Sequence, residues 1–192
     1  MATDVLVVGL GNPGDEFHKT RHNLGAEVIE KLAARHGGRL RKGKERALVT
    51  EVRIDGHRIA LAVPLTYMND SGLAVGALAR RFDIDDATHI VIVHDELDLP
   101  PAVLKVKAGG GLAGHNGLRS IVQHLKTDEF LRVRIGVGKP VSKERGADHV
   151  LNRFGKRERS EIEVTLEDAA DAVEMIVTDG VEAAMTKYNA RT

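Results

Sequence analysis

Apolar residues recur along the chain in two rhythms, which predict alternating strands and helices. Short apolar runs rich in β-branched residues, together with strict apolar–polar alternation, are typical of strands. By this pattern, strands are predicted at residues 4–9, 47–54, 58–63, 89–94, 102–108 and 131–138. The second and third strands flank Asp55-Gly56, a pair typical of a type I′ hairpin. Part of the sheet is therefore predicted to be antiparallel.

Helices are predicted where apolar residues return every three or four positions. This spacing occurs at residues 24–36, 71–82, 116–125 and 157–178. Asp70 or Ser71 is the expected N-cap of the second helix, because short polar side chains accept hydrogen bonds from the first free amides. Gly180 interrupts the last helix before a short final turn. Residues 139–148 are polar and are predicted to form a loop.

Strands alternate with helices along the whole chain, which favours the α/β class. No internal repeat, low-complexity tract or linker divides the 192 residues. We therefore expect one domain over residues 1–192, built on a twisted mixed β-sheet flanked by helices.

Composition excludes several function classes. Lys plus Arg and Asp plus Glu both total 28, so this is not a general polycation that coats nucleic acid. The absence of cysteine excludes disulfides, iron–sulfur clusters and thiol nucleophiles. No apolar run approaches the roughly 18 residues of a membrane span, and no signal peptide is recognisable, so we expect a cytoplasmic protein that does not enter a membrane. With 3% aromatic residues, any bound nucleic acid is expected to be held mainly through phosphate.

Charge is unevenly distributed. Seven cations and one carboxylate lie between Lys31 and Arg46, and the last helix carries six acidic residues from Glu161 to Glu174 with no balancing cation in that stretch. Lys105, Lys107, Arg132 and Arg134 lie on or beside two later strands. Two interpretations remain open: these are solvated faces, or the basic side binds a polar anionic ligand.

Five polar loops follow strands or precede helices, where α/β proteins gather their sites. They are GLGNPG at 9–14, TRHN at 20–23, PLTYMN at 64–69, HDELD at 94–98 and GGGLAGHNG at 109–117. Together they supply Asn12, His22, Asn69, Asp95 and Asn116. The chain lacks the exposed serine turn G-x-S-x-G and a Walker lysine. A histidine base, a carboxylate that orients it and neutral amides suit water attack on an acyl ester better than phosphoryl transfer.

Three of these loops allow another interpretation. Gly9, Gly11 and Gly14 match the dinucleotide pattern G-x-G-x-x-G, but Pro13 removes an amide and Asp15-Glu16 place carboxylates where a phosphate belongs. The alternative is a sharp turn that exposes Asn12. A hard-metal site of Asp95, Glu96 and Asp98 is conceivable, although their spacing matches no ligand pattern. The glycines at 109–111 allow either an anion-binding nest or a flexible turn.

The same motifs, in this order, resemble bacterial peptidyl-tRNA hydrolases. The resemblance also includes RIGVGKP at 134–140 and VLNRF at 150–154, so it runs nearly end to end. It implies a monomeric, phosphorylase/hydrolase-like α/β domain that cleaves the ester between a peptide and the 3′ end of tRNA, without cofactor or metal. The rival functions are a non-catalytic tRNA- or ribosome-binding module of the same fold and a dinucleotide-dependent oxidoreductase.

By motif position, the resemblance implies that His22 is the catalytic base and that Asp95 supports it. Asn12 matches the residue linked to telling N-blocked from free aminoacyl groups. The substrate-holding amides are Asn69 and Asn116, and the neighbouring wall is Phe17, Tyr67 and Met68. Phe17 replaces the usual tyrosine and Val63 replaces a frequent lysine. We expect a phosphate-binding face centred on Lys105, Lys107 and Arg134, and we interpret His115 as a residue that supports its loop.

Overall fold

The computed structural model describes residues 2–140, 142 and 145–190. It contains a seven-stranded sheet with the order β2-β3-β4-β1-β5-β7-β6. The strands are Val5–Gly9 (β1), Arg41–Lys42 (β2), Ala47–Ile54 (β3), His57–Pro64 (β4), Ile90–Glu96 (β5), Leu104–Ala108 (β6) and Leu131–Gly136 (β7). The four central strands run parallel, whereas β2, β3 and β6 pair antiparallel with their neighbours. The predicted mixed α/β sheet is confirmed.

Helices cover both faces of this sheet. They are Leu24–Arg35 (α1), Ser71–Arg81 (α2), Asn116–Leu125 (α3), Gly146–Val150 (α4), Lys156–Asp179 (α5) and Val181–Asn189 (α6). The core on one face joins α1, α5 and α6 to the sheet, and the core on the other face joins α2 and α3. Among the described residues, no helix is both long enough and apolar enough to cross a membrane.

The predicted hairpin forms as the sequence indicates. Asp55 and Gly56 both have positive φ, at 49° and 80°, as a type I′ turn requires. The second helix begins at Ser71 after Asp70, but neither side chain caps its amides, because the Ser71 hydroxyl donates to the Met68 carbonyl instead.

Several predicted boundaries are wrong, and the two-residue strand β2 has no counterpart among the six predicted strands. The strand β5 continues two residues beyond the apolar run, so Asp95 and Glu96 belong to the strand and not to a loop. The polar stretch at 139–148 contains the start of helix α4, while residues 141, 143 and 144 lie outside the described residues. The final turn is a nine-residue helix, α6.

The acidic face of α5 is balanced from outside its own sequence. Lys31 and Arg35 of α1 form ion pairs with Glu163, Glu167, Asp171 and Glu174. The cations that balance this face lie on a neighbouring helix, where a count of charges along α5 alone does not find them. Two cations of the 31–46 cluster serve this interface, and both are about a quarter exposed.

Candidate active site

The polar loops meet at one edge of the sheet, where the parallel strands β1, β4 and β5 end. Two glycine contacts bring α1 close to these strand ends. A Cβ on Gly9 would lie 2.0 Å from the Gly25 carbonyl oxygen, and one on Gly25 would lie 2.1 Å from the Val93 carbonyl oxygen. Only glycines permit this approach of helix to strand. It places the turn that precedes α1, and with it His22, directly over the end of β5.

His22 and Asp95 form the centre of the site. The Nδ1 atom of His22 lies 2.9 Å from both carboxylate oxygens of Asp95. The His22 side chain is 12% exposed, whereas that of Asp95 is 1% exposed. Burial would lower the pKa of His22, but the Asp95 charge and the hydrogen bond outweigh it, so that pKa lies above its usual 6.5.

Asp95 also binds a second imidazole, that of His115. The distance from His115 Nε2 to Asp95 Oδ1 is 2.9 Å. Burial would raise the pKa of Asp95, but the adjacent His22 and His115 together hold it well below its usual range. Asp95 is therefore an anion between two rings whose centroids are 4.9 Å apart.

The tautomers of the two rings follow from their other contacts. His115 Nδ1 accepts hydrogen bonds from the amides of Gly117 and Leu118 at the start of α3, so its proton must be on Nε2, facing Asp95. Both nitrogens of His115 are thus occupied. His22 donates to Asp95 through Nδ1, and its Nε2 has no hydrogen-bond partner among the described residues. Of these two rings, only that of His22 has a nitrogen available to accept a proton.

A third histidine lies behind this pair. His94 is fully buried, and its Nδ1 donates to the Asp95 carbonyl oxygen at 2.7 Å. Burial, together with the neighbouring His115, lowers the pKa of His94 to about 3. His94 is therefore neutral, and its ring packs edge-on against His115 with a centroid distance of 5.1 Å.

Asn12 is held so that its amide NH₂ group is free to donate. Its Oδ1 accepts the Met68 amide at 2.7 Å. Its backbone is fixed by Asn23, which accepts from the Asn12 amide at 2.8 Å and donates to the Asn12 carbonyl at 2.9 Å. The turn that carries His22 thereby holds the loop that carries Asn12.

Two pockets meet at His22 and Asn116. One, of about 220 Å³, is bordered by Asp95, His115 and the loop at 113–116. The other, of about 320 Å³, is lined by the predicted wall and amides: Asn12, Phe17, Tyr67, Met68 and Asn69. The Phe17 and Tyr67 rings pack edge-on at 6.3 Å, and Tyr67 is 61% exposed. The structure thus brings eight residues of the predicted site to one place: Asn12, Phe17, His22, Tyr67, Met68, Asn69, Asp95 and Asn116.

Ala147 and Val150 of helix α4 line both pockets, and Leu151 lines the second. Sequence reasoning missed these residues because α4 lies in a polar segment without helical periodicity. It also missed His115 as a partner of Asp95. A signal was present for His115, since a histidine directly before a helix start in a glycine-rich loop is placed to cap that helix.

The geometry disfavours the dinucleotide interpretation. Gly9 serves the contact with α1, and the Ala26 amide in the first turn of that helix donates to the Leu10 carbonyl oxygen at 3.1 Å. A Rossmann site directs such amides at a pyrophosphate.

The acidic HDELD motif does not assemble into a metal site. Asp95 and Glu96 are neighbours on a strand and face opposite sides of the sheet. Glu96 binds Arg134 and Asp98 binds Lys139. His22, Asp95 and His115 are close enough together to bind a metal ion. In this structure His22 Nδ1 and His115 Nε2 donate hydrogen bonds to Asp95, so a metal ion would have to displace both protons.

The predicted phosphate-binding cations lie on β6 and β7, and none of the three lines either pocket. Lys105 is paired in register with Arg134, and Lys107 with Arg132. Lys105 Nζ donates to the Asn189 carbonyl at 2.7 Å, and Arg134 Nε donates to Glu96 at 3.0 Å. The Lys107 ammonium lies close to the Gly110 backbone, since a Cβ added to that glycine would be 2.5 Å from Lys107 Nζ.

The Arg132 side chain fixes the backbone of the triglycine loop at residues 109–111. This buried side chain donates to the carbonyl oxygens of Gly110, Gly111 and Asp128. The Gly109 amide donates to Phe130, so it is not free for an anion. An anion-binding nest in this loop would consist of the backbone amides of Gly110 and Gly111.

Comparisons with known proteins agree with this geometry. A model of the family described as peptidyl-tRNA hydrolase matches residues 6–192. The chain is 50% identical over 186 residues to the peptidyl-tRNA hydrolase of Arthrobacter sp. (strain FB24), covering 96% of this chain and 95% of that protein. It is 48% identical over 191 residues to that of Rhodococcus erythropolis, covering 98% and 100%. The crystal structure of peptidyl-tRNA hydrolase from Acinetobacter baumannii superimposes with a TM-score of 0.92 at 41% identity, covering 99% and 97%.

Proposed function

The chain belongs to the peptidyl-tRNA hydrolase family, and from this premise we propose how its site cleaves the ester between a peptide and the 3′ end of tRNA. The reaction releases the peptide as a carboxylic acid and leaves tRNA with a free 3′-terminal hydroxyl. The observation that carries the proposal is the His22–Asp95 pair, whose free ring nitrogen belongs to a side chain shared by the two pockets.

His22 acts as the general base. Asp95 accepts a hydrogen bond from Nδ1–H and so fixes the tautomer, which leaves Nε2 to take a proton from water as that water attacks the ester carbonyl. General-base catalysis of this kind contributes roughly 10²–10⁴-fold. His115 binds the other side of Asp95 and holds the carboxylate in place without exchanging protons with the substrate.

The peptide part of the substrate occupies the pocket lined by Phe17 and Tyr67. The hydrogen bond from the Met68 backbone amide to Asn12 Oδ1 fixes the orientation of the Asn12 side chain. Its NH₂ group therefore donates to a substrate carbonyl or to the developing oxyanion. Asn69 and Asn116 supply further amides. The loss of the tyrosine hydroxyl at Phe17 leaves an apolar wall that still packs against Tyr67.

An N-blocked acyl group is required for efficient turnover. A free aminoacyl ester brings an ammonium group, whereas a peptidyl ester offers a neutral amide with a carbonyl oxygen. Asn12 and Asn69 donate to that oxygen. With a free amino acid their donors stay unpaired beside a partly desolvated cation, and both effects disfavour binding.

The tRNA part lies against Lys105, Lys107 and Arg134, which contact phosphates without reading sequence. The amides of Gly110 and Gly111 take the terminal phosphate. The protein acts as a monomeric single domain over residues 1–192, in the cytoplasm where its substrate arises, and uses neither cofactor nor metal.

One assay tests this function directly. Purified protein is incubated with N-acetyl-aminoacyl-tRNA, and release of the N-acetyl amino acid is followed with and without EDTA, using tRNA folded beforehand in magnesium. We expect turnover in both conditions. Absence of turnover contradicts the proposed reaction, and a loss that one particular divalent ion restores contradicts metal-independence. A nicotinamide cofactor should leave the melting temperature unchanged.

A further inference from the structure

The residue before the catalytic base, Arg21, makes most of its contacts with a distant part of the chain. It is 9% exposed. Its Nη1 atom donates to the carbonyl oxygens of His149, Asn152 and Arg153 at 3.3, 3.4 and 3.4 Å. Its backbone amide donates to the Asn152 carbonyl at 3.1 Å. Four hydrogen bonds thus join the turn that carries His22 to residues 149–153.

The end of the guanidinium is also fixed. Nη2 lies 3.3 Å from Glu158 Oε2 at the start of α5, and the group lies over the Phe154 ring at 4.8 Å from its centroid. The Glu158 side chain is 55% exposed, so solvent weakens this ion pair. The carbonyl contacts are the more buried part of the arrangement.

The segment that Arg21 holds forms the roof of the site. We define the roof as residues 146–153, which comprise α4 and the turn after it. Ala147 and Val150 line both pockets beside His22. A helix of five residues is not stable by itself, so outside contacts determine where it lies. Those contacts include Arg21, the His149 ring, which donates to Val137 at 3.0 Å, and Arg153, whose side chain donates to His18 and Asp15.

We propose that Arg21 is a positioning residue that holds the roof at a fixed height over His22, so that the ester lies within reach of the water that His22 activates. The inference rests on the proposed function. Its physical basis is that Arg21 is covalently next to His22, so any shift of the roof relative to this arginine is a shift relative to the base. A displacement of about 1 Å at such a site can cost roughly 10²-fold in rate.

The proposal requires an arginine and not merely a positive charge. One planar guanidinium reaches three carbonyl oxygens and a carboxylate at once. A lysine at this position keeps the charge facing Glu158 but offers a single ammonium, which cannot span the same set. Arg21→Lys therefore separates the carbonyl contacts from the ion pair. Glu158→Gln is the matched control, because it removes the ion pair and keeps the carbonyl contacts.

The experiment compares wild type, Arg21→Lys and Glu158→Gln. For each protein it measures kcat and KM on N-acetyl-aminoacyl-tRNA, the acid midpoint of the pH–rate profile, and hydrogen exchange of backbone amides. For Arg21→Lys we expect kcat to fall at least tenfold and exchange to speed up at 146–153 but not in β1 or β5. The midpoint should not move, because the His22–Asp95 pair is intact. Glu158→Gln should behave like wild type.

Other results contradict the proposal in recognisable ways. A kcat within twofold of wild type despite faster exchange means that the roof position does not govern the reaction. A shifted acid midpoint means that Arg21 acts on His22 itself. Faster exchange throughout the sheet means that Arg21 serves only the fold. If Arg21→Lys does not fold, Arg21→Gln is measured in the same way. Inactivity of the wild type, in contrast, overturns the proposed function and not this role.

Discussion

The centre of the site and the basic strands beside it hold their charges in different ways. At the centre, one buried carboxylate lies between two imidazoles, and the hydrogen bonds assign a proton position to each ring. On β6 and β7, long cationic side chains reach the protein's own acceptors, as Lys105 does with Asn189 and Arg134 with Glu96. Buried groups are weakly screened and fix the chemistry, whereas partly exposed cations are screened by salt and keep alternative partners.

The difference shows that a count of charges along the sequence overstates the charge available to a ligand. Of the cations predicted to face tRNA, Lys105 and Arg134 have protein partners, and Lys107 lies beside Gly110 of the proposed nest. We therefore expect changes at the centre to abolish turnover, and changes on the strands to alter binding by small amounts that depend on salt.

The largest expected effect is that of His22→Ala. Removal of the ring nitrogen proposed as the base should lower kcat by about 10²–10⁴-fold while fold and tRNA affinity stay nearly intact. The measurement is single-turnover release of the N-acetyl amino acid, with circular dichroism as the check of folding. His89→Ala is the matched control, since His89 lies at the opposite end of β5 and is well exposed. Near wild-type kcat in His22→Ala would remove this residue as the base.

Asp95→Asn should cause a smaller loss than His22→Ala. The variant keeps the imidazole but loses the anion that fixes the tautomer of His22, so only part of the population has Nε2 free. The measurement is kcat at a pH above the acid limb, where protonation of His22 does not contribute. A kcat equal to that of wild type would show that the pair is only structural.

Asn12→Asp tests the acyl side of the centre. The new carboxylate can still accept the Met68 amide, but it has no NH₂ group to donate to a substrate carbonyl. We expect the preference for N-acetyl-aminoacyl-tRNA over aminoacyl-tRNA, as a ratio of kcat/KM, to fall about tenfold or more. Equal kcat/KM on both substrates in the wild type, or an unchanged ratio in Asn12→Asp, would refute the proposed selectivity.

The smallest effects are expected on the basic strands. Lys107→Ala should raise KM, leave kcat nearly unchanged and reduce the slope of log K against log salt by about one. Lys105→Ala should change KM in the same direction, with an added loss of thermal stability because Lys105 binds the end of α6. For a short ester substrate that lacks most of the tRNA, Lys107→Ala should leave KM and kcat unchanged. Equal losses of kcat on long and short substrates would place the lysine in the site instead.

The sequence could predict those parts of the molecule that depend on local patterns. Apolar runs predicted six of the seven strands, and Asp55-Gly56 predicted the hairpin with its positive φ angles. The loops at the strand ends gave the residues of the site, because the edge of a parallel sheet gathers them. The roles of His22 and Asp95 came from resemblance to a family, not from periodicity.

The features that the sequence did not predict depend on contacts between segments that are distant in sequence. The roof helix α4 has no apolar rhythm and is held by Arg21 and Arg153. The acids of α5 find their cations on α1, about 130 residues away in sequence. The contact of His115 with Asp95 joins two loops that no local pattern relates. Such pairings exist only once the sheet has brought the segments together.

The central claim is that Asp95 holds His22 as the base, and the acid limb of the kcat/KM profile tests it most directly. Protonated His22 cannot accept a proton from water, so activity should fall as the pH drops through the pKa of His22. Because Asp95 raises that pKa, the wild-type midpoint should lie above 6.5, and Asp95→Asn should move it to lower pH. The same midpoint in both proteins, or no acid limb near it, would contradict the account.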